Sequence, residues 1–281
     1  MIRKILTVIL ASLMLLPAAM AEEADSALSL YAINVGKADA LLLRSGDTAY
    51  LIDTGTEDSW PALHKALQAE GITRLDGVIL THTHDDHAGG LKYLLASEIT
   101  VENVYAPKFF KNYQKEKKYN KHPAVKALAG TGREVVWLSA GDTLPLSGGS
   151  IEVVGPVEYS ETENCNSLVL YVTGGGGTML LTGDMEFPEE ESLLAEGVNL
   201  KADVLKIGNH GEGDATSNAL IAAVQPAAAV ISTSTEEEPD TPSSRVLKLL
   251  ARCGAQVYQT QETENGVLIT LKNGEIAAEY K

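Results

Sequence analysis

Cysteine is scarce in this chain, because Cys165 and Cys253 are the two cysteines among 281 residues. They allow at most one disulfide within the chain, and their wide separation in sequence does not show whether they pair. Two free thiols, or one thiol near a metal ion, are the alternatives. A convincing Ser-His-Asp set is also missing, which favours a mechanism without a protein nucleophile.

Positive charge is in short supply as well. The chain has 22 lysines and arginines against 38 aspartates and glutamates, with a formal net charge of −16. Such an acidic surface repels bulk nucleic acid and anionic lipid, which argues against tight, extended binding of DNA. The length and the 44% hydrophobic content suffice for one large domain or two small ones.

Long hydrophobic runs are missing beyond the first residues. The run from 5 to 16 follows Arg3 and Lys4, is too short for a comfortable membrane span, and is followed by Ala19-Met20-Ala21. This pattern predicts a signal peptide over 1–21, cleaved before Glu22, and one secreted or extracytoplasmic domain over 22–281 without a stable membrane span. An uncleaved anchor is the alternative, and the cleavage site lacks the cysteine of a lipoprotein.

The most informative stretch follows a short apolar run, Gly77 to Leu80, that indicates a buried strand. It reads Thr81-His82-Thr83-His84-Asp85-Asp86-His87-Ala88-Gly89-Gly90. Imidazole nitrogen and carboxylate oxygen are ligands of zinc and similar divalent ions. In a sharp turn His82 and His84 can share one ion, while Asp86 and His87 can face a second. A polar turn without metal is the alternative, but burying so many titratable groups there would be costly.

The spacing His82-x-His84-x-Asp86-His87 resembles the signature of the metallo-β-lactamase fold superfamily. Two further pairs of runs resemble a narrower group, the hydrolase domains like the C-terminal part of ComEC-type DNA-uptake proteins, whose relatives include a bacterial phosphorylcholine esterase. These runs are Asn34-Val35-Gly36-Lys37-Ala38-Asp39-Ala40 with Leu51-Ile52-Asp53-Thr54-Gly55, and Asn166-Ser167-Leu168-Val169-Leu170 with Leu180-Leu181-Thr182-Gly183-Asp184. The resemblance implies an α/β fold, a four-layer αββα sandwich with the site at the edge between two sheets. The order of strands and helices in each half of the chain suits that architecture.

The resemblance also implies roles for individual residues. Asp53 supports the metal loop through hydrogen bonds, Asp184 bridges two ions, and His210 completes the ligands of the ion held by Asp86 and His87. The expected metal ligands are His82, His84, Asp86, His87, Asp184 and His210, and Asp86 or Asp184 is expected to take part in proton transfer. The remaining histidines, His64 and His122, are expected at the surface.

Two departures from the superfamily pattern concern this ligand set. Many members have another histidine ahead of the strand that begins near Ser167, where this chain has Glu163-Asn164-Cys165-Asn166. The ion at His82 and His84 is then expected to have fewer protein ligands and to exchange more readily, with Asn164 or Asn166 filling part of the gap. The narrower group also has paired histidines where this chain has Asn209-His210, which places Asn209 beside the site and puts the rate of turnover in question.

Lysine is concentrated in one segment, 108–126, together with aromatic residues. Its lysines are Lys108, Lys111, Lys115, Lys117, Lys118, Lys121 and Lys126. Near the site, this segment would attract an anionic substrate, and Lys108 and Lys111 are the predicted substrate-binding residues. A solvated helix whose lysines balance the acidic surface is the alternative.

These observations predict an exported, dinuclear metal-dependent hydrolase. Zinc is the first choice of metal, with manganese and iron as alternatives. A pair of divalent ions can activate water for attack on a phosphorus or carbonyl centre. The narrower resemblance implies a phosphodiester or a phosphorylcholine-type ester as substrate, small or polymeric, with single-stranded DNA as one candidate. A β-lactamase-type amide hydrolase and a metal-containing binding module are the alternatives.

Overall fold

The computed structural model describes residues 26–110 and 120–281. The predicted signal peptide and Lys111 lie outside these residues, so both remain predictions. Within the described ranges, no helix combines the length and the apolar composition that crossing a bilayer requires.

Two large sheets face each other, and they contain fifteen of the seventeen strands of the described residues. The strands of the first sheet are β1 (Leu28–Ile33), β2 (Leu41–Ser45), β3 (Thr48–Ile52), β5 (Gly77–Ile79), β7 (Val104–Pro107), β8 (Val136–Leu138), β16 (Gly266–Lys272) and β17 (Glu275–Tyr280). Those of the second are β9 (Thr143–Leu146), β10 (Gly149–Gly155), β11 (Val169–Gly174), β12 (Gly177–Leu181), β13 (Val204–Lys206), β14 (Ala228–Ile231) and β15 (Gln256–Gln259). The short strands β4 (Arg74–Leu75) and β6 (Thr100–Val101) form a small pair beside them.

Each large sheet joins an antiparallel part to a parallel part. The strand orders are β17-β16-β1-β2-β3-β5-β7-β8 and β15-β14-β13-β12-β11-β10-β9. Pairing is parallel from β3 to β8 and from β12 to β15, and antiparallel elsewhere. Parallel neighbours need crossover connections, which explains why the helices are concentrated between these strands.

Helices cover the outer face of each sheet. The helices are α1 (Trp60–Ala69), α2 (Asp85–Ala88), α3 (Leu91–Ala96), α4 (Pro123–Leu128), α5 (Phe187–Ala195), α6 (Asn218–Val224) and α7 (Ser244–Cys253). One apolar core, with Leu30, Leu170 and Ile269, fills the space between the sheets, and two others pack helices against the outer faces, as Leu63 and Leu250 do. Burying each such side chain contributes about 1.5–3 kcal/mol. The predicted four-layer αββα sandwich is confirmed.

The exposed Glu102 and Asn103 separate β6 from β7. Three consecutive glutamates in α5 obscure the apolar periodicity of this helix. Both cysteines are free, Cys165 buried and Cys253 exposed.

His122 is buried, whereas the sequence placed it at the surface. Its ring packs edge-on against Phe110 and Trp137, with centroids 4.9 and 5.1 Å away. Its Nδ1 accepts a hydrogen bond from the backbone N–H of Ala124 and so caps α4. Burial lowers the pKa of His122 to about 4, since the charged ring would lose its hydration.

Five strands of the parallel parts end at one edge of the sandwich. Asp53 directly follows β3, the histidine-rich loop begins after β5, and Asp184, His210 and Ser232 follow β12, β13 and β14. Because parallel strands share their carboxyl edge, residues far apart in sequence meet there. This edge positions the site.

The carboxylate of Asp53 fastens the end of β3 to the histidine-rich loop. One oxygen accepts from the backbone N–H of Thr81 and the other from the Thr81 hydroxyl, both at 2.7 Å. The second oxygen also lies 2.7 Å from Nδ1 of His87. The backbone N–H of Thr54 donates to the His87 carbonyl at 2.7 Å, and a Cβ on Gly90 would overlap the Thr54 carbonyl. The loop is therefore held from both sides.

We expect His122 to contribute to acid unfolding. Its pKa in the folded protein, about 4, lies below the ordinary value of 6.5, so the unfolded chain binds an extra proton between these pH values. Stability is then present above pH 6.5 and is lost as the pH falls towards 4, by up to about 3 kcal/mol. Urea unfolding of His122→Asn should show lower stability at pH 7 but a shallower fall on acidification. Parallel pH curves for the two proteins would contradict this.

We expect Asp53→Ala to lower the free energy of unfolding of the metal-free protein by about 3–5 kcal/mol, because buried donors on Thr81 and His87 lose their acceptor. The measurement is urea unfolding in the presence of a chelator. Asp203→Ala is a matched control, since Asp203 accepts the same pair of bonds from Thr178 but is partly exposed. Its loss should be about 1 kcal/mol. Equal losses in the two variants would show that Asp53 has no special anchoring role.

Candidate metal centre

Four side chains from three loops converge at the carboxyl edge. The potential ligand atoms of Asp86, His87, Asp184 and His210 all lie within 4.8 Å of one another. Asp184 Oδ2 lies 3.1 Å from His87 Nε2 and 3.4 Å from His210 Nε2, and Asp86 Oδ2 lies 3.4 Å from His210 Nε2. Two imidazole nitrogens and two carboxylates form a donor set that zinc and similar divalent ions accept.

The unpartnered atoms of this cluster test whether a cation fits. Nε2 of His87, Nε2 of His210 and Oδ1 of Asp184 are buried and make no hydrogen bond that would satisfy them. Such atoms are rare in a folded protein because each costs desolvation free energy. Here they belong to one cluster, so a divalent cation at its centre would satisfy them together.

In the three buried histidines of the site, Nδ1 contacts a protein group on the side away from the centre, so Nε2 faces the centre. Nδ1 of His87 contacts Asp53, Nδ1 of His210 lies 3.0 Å from the Ser232 carbonyl, and Nδ1 of His82 lies 3.2 Å from the Thr81 hydroxyl. Such outer contacts fix the tautomer and the ring orientation of metal-binding histidines. The orientation of each ring is therefore fixed by contacts within the protein.

The electrostatics of the cluster favour a positive charge at its centre. Burial alone would lower the pKa of His210, but Asp184, Asp86 and Asp39 raise it to about 9. The pKa of His87 likewise rises well above its usual value, because Asp184 and Asp53 outweigh the effect of burial. The pKa of Asp184 falls well below its usual range, since His210 and His87 outweigh burial.

His82 and His84 form a second group beside this cluster. His82 Nε2 lies 3.0 Å from His84 Nδ1 and 3.9 Å from Asp184 Oδ2. Burial and the neighbouring His87 lower the pKa of His82 well below its usual value, which keeps its ring neutral. His84 is exposed, so this pair opens to solvent while the four-residue cluster is mostly enclosed.

The loop before β11 lies against the histidine-rich loop where the superfamily pattern would supply another histidine. Glu163 is buried there, and one carboxylate oxygen accepts from both the backbone N–H and the hydroxyl of Thr83, between His82 and His84. The side-chain amide of Asn166 hydrogen-bonds to the backbone of Ser160 and Thr162 in its own loop. The side chain of Asn164 donates a hydrogen bond to Glu186. The asparagines thus shape this loop, and Glu163 connects it to the histidines.

A buried ion pair lies beneath the site, and the sequence motifs assigned no role to either of its residues. Lys206 Nζ lies 2.7 Å from Asp39 Oδ2, and both side chains are almost completely buried. The backbone N–H of Asp39 donates to the Asp86 carbonyl, and Asp39 Oδ1 lies 4.0 Å from His210 Nδ1. The sequence feature that could have indicated this pair is a lysine inside the apolar segment Val204 to Ile207, since a buried lysine needs an acidic partner.

Three residues at the site adopt the left-handed backbone conformation. The φ angles of Asp53, Asn209 and His210 are +59°, +45° and +52°. This conformation is uncommon outside glycine, although Asp, Asn and His tolerate it best. The Asn209 side chain donates to Asp214 at 3.1 Å, and its backbone N–H donates to the Gly183 carbonyl, which holds the turn that presents His210.

Lys108 is the predicted substrate-binding residue that the structure describes. It is exposed immediately after β7, and its backbone N–H donates to Leu138. Strand β7 neighbours β5 in parallel, so Lys108 lies at the same edge as the site. Among the described contacts, none joins its side chain to the six predicted ligands.

Comparison with known sequences finds similarity to competence proteins. It is 30% identical over 268 residues to ComE operon protein 3 of Bacillus subtilis (strain 168), covering 89% of this chain and 32% of that protein. It is 29% identical over 232 residues to competence protein ComA of Neisseria gonorrhoeae, covering 81% and 30%. The chain thus spans about a third of the length of these relatives.

Solved structures share the fold at low sequence identity. The metallo-beta-lactamase fold protein YhfI from Bacillus subtilis superposes with a TM-score of 0.58 and 15% identity, over 88% of this chain and 99% of that one. A diphosphatase from the PhnP family gives a TM-score of 0.52 and 15% identity, over 87% and 97%. Residues 33–235 match the sequence model of the metallo-beta-lactamase superfamily. The competence proteins that the chain matches are of the ComEC-like group, and this chain therefore belongs to the metallo-beta-lactamase superfamily.

Proposed function

We propose that this chain is an exported, metal-dependent hydrolase of phosphodiesters or related phosphoesters that uses two divalent ions, zinc in the first place. The observation that carries this proposal is the cluster of Asp86, His87, Asp184 and His210 with its buried, unpartnered Nε2 and Oδ1 atoms. The competence-protein relatives and the diphosphatase of like fold support a phosphate ester as substrate. The export depends on the predicted signal peptide.

Asp184 is the proposed bridge between the two ions. Its Oδ2 is within 3.1–3.9 Å of imidazole nitrogens on His82, His87 and His210. One ion would be held by Asp86, His87, His210 and Asp184, and the other by His82, His84 and Asp184. Bound divalent ions supply Lewis acidity and lower the pKa of water, so a protein nucleophile is not required.

The remaining tasks belong to the side chains. Asp86 is the most exposed residue of the cluster, with its side chain 30% exposed. In this proposal its carboxylate would accept a proton from the water that attacks the ester. His87, His210 and Asp184 are buried, so they exclude water from below and keep the ligand geometry rigid. Asp53, Thr81 and Ser232 contact the Nδ1 atoms of the three buried rings of the site, which would fix their tautomers.

We expect His84→Ala and Asp184→Ala each to reduce hydrolysis of bis(p-nitrophenyl) phosphate by at least about 100-fold, because each removes a ligand. Their metal contents should differ. Elemental analysis of His84→Ala should show loss of one ion, whereas Asp184→Ala should lose affinity at both positions. The assay uses protein loaded with zinc or manganese.

The matched control is His64→Ala, which removes a partly exposed histidine paired with Glu98. It should keep both metal content and activity. Full turnover by either ligand variant would overturn the assigned site. Hydrolysis of nitrocefin without phosphodiester hydrolysis would favour an amide hydrolase, and metal-loaded protein that binds phosphate without turnover would favour a binding module.

A further inference from the structure

Lys37 connects the two sides of the metal centre at its rim. It lies in the turn between β1 and β2, and that turn touches the metal loop because the N–H of Asp39 donates to the Asp86 carbonyl at 3.1 Å. The Lys37 ammonium lies 2.6 Å from Oε1 of Glu212, two residues after His210. The lysine side chain therefore reaches from the β1–β2 turn, which contacts the Asp86 carbonyl, to the loop of His210.

The ammonium of Lys37 lies in the field of the site carboxylates. Burial lowers the pKa of Lys37, but Glu212, Asp86 and Asp184 outweigh burial and raise the pKa above its ordinary value. The side chain is 19% exposed and Glu212 is 34% exposed, so both remain accessible from solvent. Lys37 is charged at neutral pH, and its ion pair with Glu212 is partly open to solvent.

Lys37 differs from Lys206, the buried lysine beneath the site. Lys206 has no exposed side chain, is paired with Asp39 beneath the ligands, and also donates to the Ile207 carbonyl. It cannot reach a molecule at the open side. Lys37 takes no part in holding the proposed ligands, so its position at the rim calls for another role.

Acidic groups surround this cation. The backbone N–H of Lys37 donates to Glu237 Oε2 at 3.1 Å, and the Glu237 carboxylate lies over Gly36. The exposed loop that carries Glu237 contains three consecutive glutamates, at 236–238. A single lysine among these acids can neutralise one negative charge, while an extended polyanion would meet repulsion.

We propose that Lys37 anchors the anionic oxygen of a small, singly charged phosphodiester, that Glu212 competes for the same ammonium, and that the acidic rim disfavours polyanionic strands. This inference rests on the proposed function. It assigns the substrate anchor to a residue outside the lysine-rich segment 108–126.

The test compares Lys37→Met, Glu212→Gln and the double variant, all loaded with metal and checked for equal metal content. For bis(p-nitrophenyl) phosphate, Lys37→Met should raise KM about tenfold with a smaller change in kcat, as expected for losing one charge-assisted hydrogen bond. Glu212→Gln should lower KM, and this gain should vanish in the double variant. Lys65→Met, which breaks the exposed pair with Glu264, is the control and should leave KM unchanged.

Binding of inorganic phosphate, measured by calorimetry, separates this inference from the proposed function. An absence of turnover in every metal-loaded protein would refute the phosphodiesterase, but Lys37→Met should still weaken phosphate binding about tenfold. Unchanged KM and unchanged phosphate affinity in Lys37→Met would overturn the anchor.

Competition with bis(p-nitrophenyl) phosphate tests the preference for low charge. Single-stranded (dT)10 should compete more weakly, per linkage, than dimethyl phosphate, and replacing the glutamates at 236–238 by glutamine should reduce the difference. Stronger competition by (dT)10 in the unaltered protein would overturn this part of the inference.

Discussion

Charge compensation among buried groups is the constraint on which this site depends. Asp53 and Asp184 face His87, Asp184 also faces His210, and Asp39 faces Lys206. Each of these charges would be costly to bury alone, so each is retained where an opposite charge meets it. The unpartnered Nε2 atoms of His87 and His210 and Oδ1 of Asp184 belong to one cluster, where a divalent ion would complete the compensation.

The two sheets supply the rigidity that this arrangement needs. Three site residues adopt a left-handed backbone, and one such residue typically costs about 1–3 kcal/mol. Regular strands with apolar contacts on both faces lead into these turns, so the cores on either side of each sheet can offset the cost. The outer contacts of the buried histidine rings then leave each Nε2 facing inwards. His84, by contrast, is exposed. The four-residue cluster is therefore more enclosed by protein than the His82/His84 pair.

Glutamates of this acidic chain lie at the rim of the site, beside Lys37. Glu212 contacts the side chain of Lys37, and Glu237 accepts a hydrogen bond from its backbone N–H. Under the proposed function, a substrate anion would compete with Glu212 for the ammonium, and this competition would favour a substrate of low charge.

Many residues of the candidate site could be predicted because they occur in short motifs with fixed spacing. The four ligands between His82 and His87 lie within six residues, and Asp53, Asp184 and His210 each follow an apolar strand. The environment of other residues could not be predicted in this way. His122 lies within the lysine-rich segment 108–126 and was expected at the surface, yet its ring packs against Phe110 and Trp137. Helix α5 carries three glutamates in a row, so its apolar face is weakly marked.

The sequence by itself determined the candidate ligand types and the strands that carry them, because motif spacing and hydrophobic periodicity are local properties. The layered architecture was expected from the resemblance that these motifs carry. The tertiary structure alone decided which groups become partners across the two sheets. Asp39 meets Lys206 and Lys37 meets Glu212 over more than 160 residues of chain. Glu163 reaches Thr83 from the loop where another histidine was sought. Such pairs arise when two sheets close on each other, and no local pattern specifies them, since each partner alone is an ordinary charged residue.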